Sequence, residues 1–399
     1  MLGQKKIMIL GAGILQLPAL LKAKDMGLNT IAIDINPEAP GFDIADQRIL
    51  LSTTDVENVL MMANKVKPDA VITLASDMPI RTVAAIGEKL GLRTISCDTA
   101  IVCTDKGKMR EKLREFNIPI PEFYVISDLE ELIEVSKKFE DNFIVKPADN
   151  SGSRGIFLVE DTKNLSNAFV HAKCHSRSGE VIVEEFMRGP EVSVESLTID
   201  GETTIIAITD KLTSGSPHFI EMGHTIPSRV PFNIQSQIKE LTKSAITALG
   251  INTGPSHTEI IITSQGPKIV EIGARLGGDN ITTHLVPLAT GVNMVEYTIS
   301  LALSKEVKLP EFDQKAAAIR YIESKNGILK SVKSLKDFNK VDGVKEVKIT
   351  KKEGEKISNI TNSGERIGYV ITQADTPEEA TELCQRALKS IQLDILNID

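Results

Sequence analysis

The chain has 399 residues with 46 basic and 54 acidic side chains, a net charge of −8. It is too long for one ordinary core and suits two or three domains of about 100–200 residues. A hydrophobic fraction of 41% with 25% charged is the balance of a folded globular protein, and acidity without a basic block argues against a nucleic-acid surface. Apolar runs such as Ile7–Leu10 fall far short of the roughly 18 residues that span a bilayer. The run after Lys5 and Lys6 ends at Gly11, too soon for a secretion signal, so a cytoplasmic protein without membrane partners is expected. Cys97, Cys103, Cys174 and Cys384 form no C-x-x-C pair and read as reduced thiols.

Lys6–Leu10 reads as a buried strand, 14–26 as a helix, Thr30–Asp34 as a strand, 55–65 as a helix, 70–74 as a strand and 79–90 as a helix closed by Gly91. Wholly apolar strands separated by amphipathic helices indicate a doubly wound parallel sheet over residues 1–104. Thr104-Asp105 caps a helix over 106–116, which Asn117-Ile-Pro-Ile-Pro121 stops. Strands follow at 143–146, 181–184 and 191–195, then a helix over 234–249. Alternation along 258–263 and 268–272 around Ser264-Gln-Gly-Pro267 predicts a hairpin. Beyond 310, strands at 316–322, 343–350 and 367–372 precede a closing helix over 376–393. The expected domains are 1–104, 105–310 (small lobe about 115–185, large lobe about 186–310) and 311–399.

Gly11-Ala-Gly13 follows a strand and opens a helix, and Asp34 ends the next strand, which is most of a dinucleotide fingerprint. Gln16 stands where the third glycine belongs. A plain strand-to-helix turn, with Asp34 capping the turn after its own strand, therefore outweighs an NAD-dependent dehydrogenase.

Phosphate chemistry is suggested further on. Lys146 ends a strand and Ser151-Gly-Ser-Arg-Gly155 follows. Glycines let backbone amides approach phosphate oxygens, serines add donors and lysine adds charge, although a hairpin turn with a solvated lysine fits equally well. Val181–Met187 ends in Glu184, Glu185, Phe186 and Met187, an edge strand or a segment whose backbone meets a purine beside Phe186. Glu191 lies four residues beyond Met187, within reach of ribose hydroxyls. Glu259 and Glu271 fall opposite one another if the turn centres on residue 265. Two facing carboxylates need a cation, a shared proton or an arginine between them, and oxygen ligands suit Mg²⁺. Arg275 follows among glycines; a salt bridge from it to either glutamate is the structural alternative.

In their order along the chain these motifs resemble the ATP-grasp superfamily of carboxylate–amine ligases. Glu271-Ile-Gly-Ala-Arg-Leu-Gly-Gly278 and Gly223-His-Thr-Ile-Pro227 look most like bacterial L-amino-acid (dipeptide) ligases. Ser363–Val370 is similar to their closing domain, which also resembles that of biotin carboxylase. The resemblance implies a doubly wound N-terminal α/β domain, a two-lobed ATP-grasp domain and a C-terminal α+β domain. It implies that Lys106 and Lys146 contact ATP phosphates and that Ser151, Gly152, Ser153, Arg154 and Gly155 form a lid. Glu184, Glu185 and Met187 would hold adenine, Glu191 the ribose, and Glu259 and Glu271 would bind Mg²⁺ or Mn²⁺. Arg275 would stabilise the transferring phosphoryl group and the tetrahedral intermediate. Many members carry an asparagine as a further metal ligand two residues after the second glutamate; here it is Gly273, which the amino-acid ligases also tolerate.

The implied reaction joins a small-molecule carboxylate to an amine through an acylphosphate, with ADP and phosphate released. His224, Gly277 and Gly278 are substrate candidates, although His224 and His257 also suit ordinary core or turn positions. Phosphoribosylamine–glycine ligase and a non-catalytic ATP-binding module are the alternatives, and a homodimer is left open.

Overall fold

The computed structural model describes residues 4–150, 152, 154–333 and 341–397. The first sheet is parallel, with strands Gln47–Leu50, Asn29–Asp34, Lys6–Leu10 and Ala70–Thr73 in that spatial order. Its strands are apolar throughout because both faces are covered. Met8, Leu10, Ile31 and Ile33 pack toward the helices Val56–Val66 and Ile80–Leu90, whereas Ile7, Ile9 and Ala32 pack the opposite way. Gly91 ends the second of these helices in a left-handed conformation, as expected for a glycine C-cap.

The turn after the first strand is closed from within. Gln16 donates to the Leu74 carbonyl at 2.6 Å, and its side chain lies 2.9 Å from where a Cβ on Gly11 would sit. Asp34 accepts from the amides of Ala12 (2.7 Å) and Asn36 (2.9 Å). The aspartate that would bind a ribose thus organises its own loop.

A second, antiparallel sheet forms a small lobe, ordered Phe123–Ile126, Val181–Glu185, Phe143–Pro147 and Phe157–Val159. The third sheet has eight strands: Gly266–Gly273, Gly254–Thr263, Glu191–Ile199, Glu202–Thr213, Glu221–Ile226, Ala316–Tyr321, Gly368–Ala374 and Val344–Ile349. It therefore runs without a break past residue 310. The closing helix spans Pro377–Ser390 rather than continuing to 393; Ile391 turns extended and Gln392–Leu396 pairs as a strand in a small three-stranded sheet. The predicted hairpin forms, but with a two-residue turn: the first strand continues to Thr263 and the second starts at Gly266, whose φ of +109° suits glycine.

Candidate active site

Side chains alternate along a strand, so register decides which groups share a face. In Glu191-Val-Ser-Val-Glu195, Val192 and Val194 enter the core, leaving Glu191, Ser193 and Glu195 on the other face. Across from them, Glu259 pairs with Ser193 and His257 with Glu195. Glu271 pairs with Glu259. A two-residue turn alone would set Val270 against Glu259; a bulge at Val270 shifts the register so that the carboxylates meet.

Two lysines separate these acids. Lys106 Nζ lies 2.9 Å from Glu271 and donates to the Asn150 carbonyl at 2.6 Å. Lys211 Nζ bonds Glu191 and lies 3.0 Å from Glu259 and 3.7 Å from Glu221. Burial opposes charge on Glu191, Lys211 and Glu259. Even so, Lys211 and His257 hold Glu259 well below the usual carboxylate range, and the three acids hold Lys211 well above the usual lysine value. Burial outweighs Lys211 at Glu191, whose pKa rises. His257 Nδ1 bonds Glu195 Oε1 at 2.6 Å; burial works against the imidazolium, yet the glutamates raise its pKa to about 9. Glu195 Oε2 is buried without a partner among the described residues, 2.8 Å from where a Cβ on Gly277 would sit. Only glycine fits there.

Lys146 faces this cluster from the small lobe. Its Nζ bonds Glu184 Oε2 at 2.6 Å, and Glu184 Oε1 receives Arg110 Nε at 2.8 Å. Burial lowers the lysine pKa, with Arg110 and Lys106 adding to the effect. Burial would raise Glu184, but the two cations bring it down to about 2. Two buried cations share one anion here, an excess of positive charge suited to a polyphosphate. In the neighbouring loop Gly152 and Gly155 have left-handed backbones, and a Cβ on Gly155 would lie 2.7 Å from that of His175. Arg154 is exposed; Ser151 and Ser153 lie outside the described residues.

Arg275 makes a forked pair with Asp77 of the N-terminal sheet's connecting loop, at 2.8 and 3.0 Å. Its partner is thus neither glutamate, although both glutamates and Asp77 keep its charge firmly in place against burial. A Cβ on Gly273 would stand 2.9 Å from Asp77 Oδ1 and 3.2 Å from the Arg275 guanidinium. The position that could carry a further ligand is given over to this pair.

Residues 139–283 match the ATP-grasp domain and 320–395 match the L-amino acid ligase C-terminal domain 2. The chain contains an ATP-grasp domain. It is 25% identical over 322 residues to the L-arginine-specific L-amino acid ligase of Bacillus subtilis, covering 78% of this chain and 76% of that one. It is 24% identical over 426 residues to a phosphoribosylamine–glycine ligase of Methanococcus vannielii, covering 98% and 95%. The L-amino acid ligase of Bacillus licheniformis superposes with a TM-score of 0.85 at 22% identity, over 99% of each chain. These three relatives are ATP-dependent ligases that form C–N bonds.

Within this ATP-grasp frame several expectations change. Glu184 is 3% exposed and already paired, so its carboxylate does not face an open adenine pocket. Glu185 is held by Lys268 at 2.9 Å and by the Glu122 amide at 3.2 Å, so any purine contact falls to the backbone of this segment. Met187 is buried, and the Phe186 ring lies 6.0 Å from that of Phe219 with Arg188 over it at 5.1 Å. His224 is almost wholly buried, 3.4 Å from Asp279, which Arg366 holds at 2.6 and 2.8 Å. Gly277 and Gly278 lead into this aspartate. Reading the sequence missed Asp77, Arg110, Glu195, Lys211 and Arg366. For Glu195 a signal existed, since two-residue alternation puts it on the same face as Glu191. Asp77 and Arg366 pair across domains and Arg110 across lobes, so none leaves a local pattern. No helix among the described residues is long and apolar enough to cross a membrane.

Proposed function

We propose that this chain is an ATP-dependent carboxylate–amine ligase acting on small amino-acid-like substrates through an acylphosphate. The in-register pair Glu259–Glu271, with Lys106 and Lys211 as its counter-ions, is the observation that carries this reading. Two carboxylates fit Mg²⁺, which takes one or two protein carboxylates and completes its shell with water and phosphate oxygens; Mn²⁺ has the same oxygen preference. ATP would supply the phosphoryl group and the divalent ion would neutralise its charge. Lys106 and Lys146 would turn from Glu271 and Glu184 to the phosphates. Arg275, already oriented by Asp77, would face the charge that develops as the substrate carboxylate oxygen bonds to the γ-phosphorus and ADP leaves. An amine then bonds to the acyl carbon, phosphate departs, and the amine loses its proton to solvent. Residues 151–155 would exclude water, which otherwise hydrolyses an acylphosphate.

An ADP-release screen over pairs of amino acids and small carboxylates with Mg²⁺ tests the reading. Release is expected only when both substrates are present; a non-catalytic ATP-binding module gives none. Lys146→Ala and Glu271→Ala should each lower turnover by about 100-fold or more, as expected for groups facing transition-state charge. Undiminished turnover in both would exclude the assignment. The 98% coverage by a phosphoribosylamine–glycine ligase favours a second reading, which phosphoribosylamine and glycine in the same assay would reveal. The matched C-terminal domain favours the amino-acid reading.

A further inference from the structure

We propose that Arg110 is the positioning residue that ties the carboxylate pair of the hairpin to Lys146 of the small lobe. The inference rests on the ligase reading and assigns a part to a residue that reading does not use. Arg110 lies one turn after Lys106 on the helix Lys106–Glu115 and has no exposed surface. Its guanidinium reaches both lobes. Nε holds Glu184 Oε1 at 2.8 Å, and Glu184 Oε2 holds Lys146. Nη2 donates to the Val270 carbonyl at 2.6 Å.

Val270 is the bulged residue. Ile269 pairs with Ile260 and Glu271 with Glu259, so Val270 faces no partner across the hairpin. A half-buried carbonyl released from the ladder is best satisfied by another donor, and Arg110 provides it. Without that donor the register set at the turn, Thr263 with Gly266, would extend unbroken and bring Val270 opposite Glu259. Arg110 therefore favours the register in which the two carboxylates meet. Stability alone explains the arrangement poorly. Nη1 is buried with no partner among the described residues, and buried ionic networks often add nothing over an apolar replacement. Specifying geometry is the better account of so costly a group.

The test uses the full chain, with ADP as the probe, calorimetry in the presence and absence of Mg²⁺, and amide exchange along the hairpin. Arg110→Met leaves the Glu184–Lys146 pair intact. It should reduce the Mg²⁺-linked gain in ADP affinity at least tenfold and speed exchange around Glu271, over and above what the missing charge costs in metal-free ADP affinity. Arg110→Lys keeps the charge beside Glu184 but lacks the fork to Val270. It should recover thermal stability without recovering the Mg²⁺ linkage, a split that a merely structural role would not produce. Wild-type linkage in either variant overturns the proposal. If Arg110→Met does not fold, Arg110→Lys carries the same test. Absence of ADP binding in the wild type would count against the ligase reading itself; Arg110 is then judged on hairpin exchange, where faster exchange supports it and unchanged exchange overturns it.

Discussion

Glu184 is a glutamate whose environment, more than its own chemistry, sets its charge. Burial pushes its pKa up, but Arg110 and Lys146 bring it to about 2 from an ordinary 4.5. A lowered carboxylate pKa contributes stability above the unfolded value and loses it as pH falls through the folded value, here between about 4.5 and 2. The full contribution is about 3 kcal/mol, of which about 2 kcal/mol is lost by pH 3. Urea unfolding of wild type and Glu184→Gln from pH 6 to 3 should therefore show the gap between them narrowing as pH falls. A gap independent of pH would mean the carboxylate is not paired as described. Gly273 makes the opposite point, because here an absent side chain matters. Gly273→Asn should not add a metal ligand but push Asp77 and Arg275 apart, since its Cβ would meet both. A fall in kcat of about tenfold or more, the scale of a misplaced charged group, is expected in the ADP-release assay, and a gain would refute the steric argument. The glycine was visible in the sequence; its reason was not, because Asp77 approaches from 196 residues away in the chain.

Local signals at the ends of elements were the most legible, and they separate stability from activity. Asp105 caps the helix Lys106–Glu115 by accepting from the Lys108 amide at 3.0 Å, and Thr376 caps Pro377–Ser390 in a reciprocal box with Glu379. Removing either cap should cost about 1 kcal/mol. Only Asp105→Ala should also raise the KM for ATP, because Lys106 is the first residue of its helix, whereas Thr376→Ala should leave turnover unchanged. Equal effects on KM would detach Lys106 from the nucleotide. Strand and helix types in the N-terminal sheet followed from apolar runs and glycine stops. The hairpin's facing glutamates were legible too, though by a compensation the sequence hides: the turn is two residues shorter than the expected loop, and the bulge at Val270 restores the pairing. Bulges answer to tertiary partners, here Arg110, so hydrophobic alternation does not announce them. The overrun of the last helix has a similar cause. Leu393 and Ile395 continue an apolar pattern that strand pairing with Gly327–Lys333 uses instead.

At the scale of the molecule the N-terminal sheet and the eight-stranded sheet are joined by ion pairs and by shared core rather than linked by flexible chain. Arg93 reaches Asp200 at 2.6 Å and Thr253 at 3.1 Å, Arg275 reaches Asp77, and one apolar cluster runs from Ile7 and Leu20 through Leu285 and Ile299 to Ile319 and Ile371. The expected boundary at 310 therefore falls within one packed body. Strand Glu221–Ile226 pairs with Ala316–Tyr321, Arg366 stacks 3.7 Å over Tyr321 while holding Asp279, and Ala316–Ile319 are fully buried. A chain ending at residue 310 would leave Glu221–Ile226 as a bare edge beside uncovered core, the combination that leads to edge-to-edge aggregation. Such a fragment should elute as aggregate in size-exclusion chromatography and bind no ADP, even though residues 139–283 hold the whole matched ATP-grasp segment. A monomeric fragment with native-like circular dichroism and wild-type ADP affinity would show that the last three strands only decorate the site. The expected failure would instead make the C-terminal strands part of the platform that keeps Asp279, His224 and Lys211 in place.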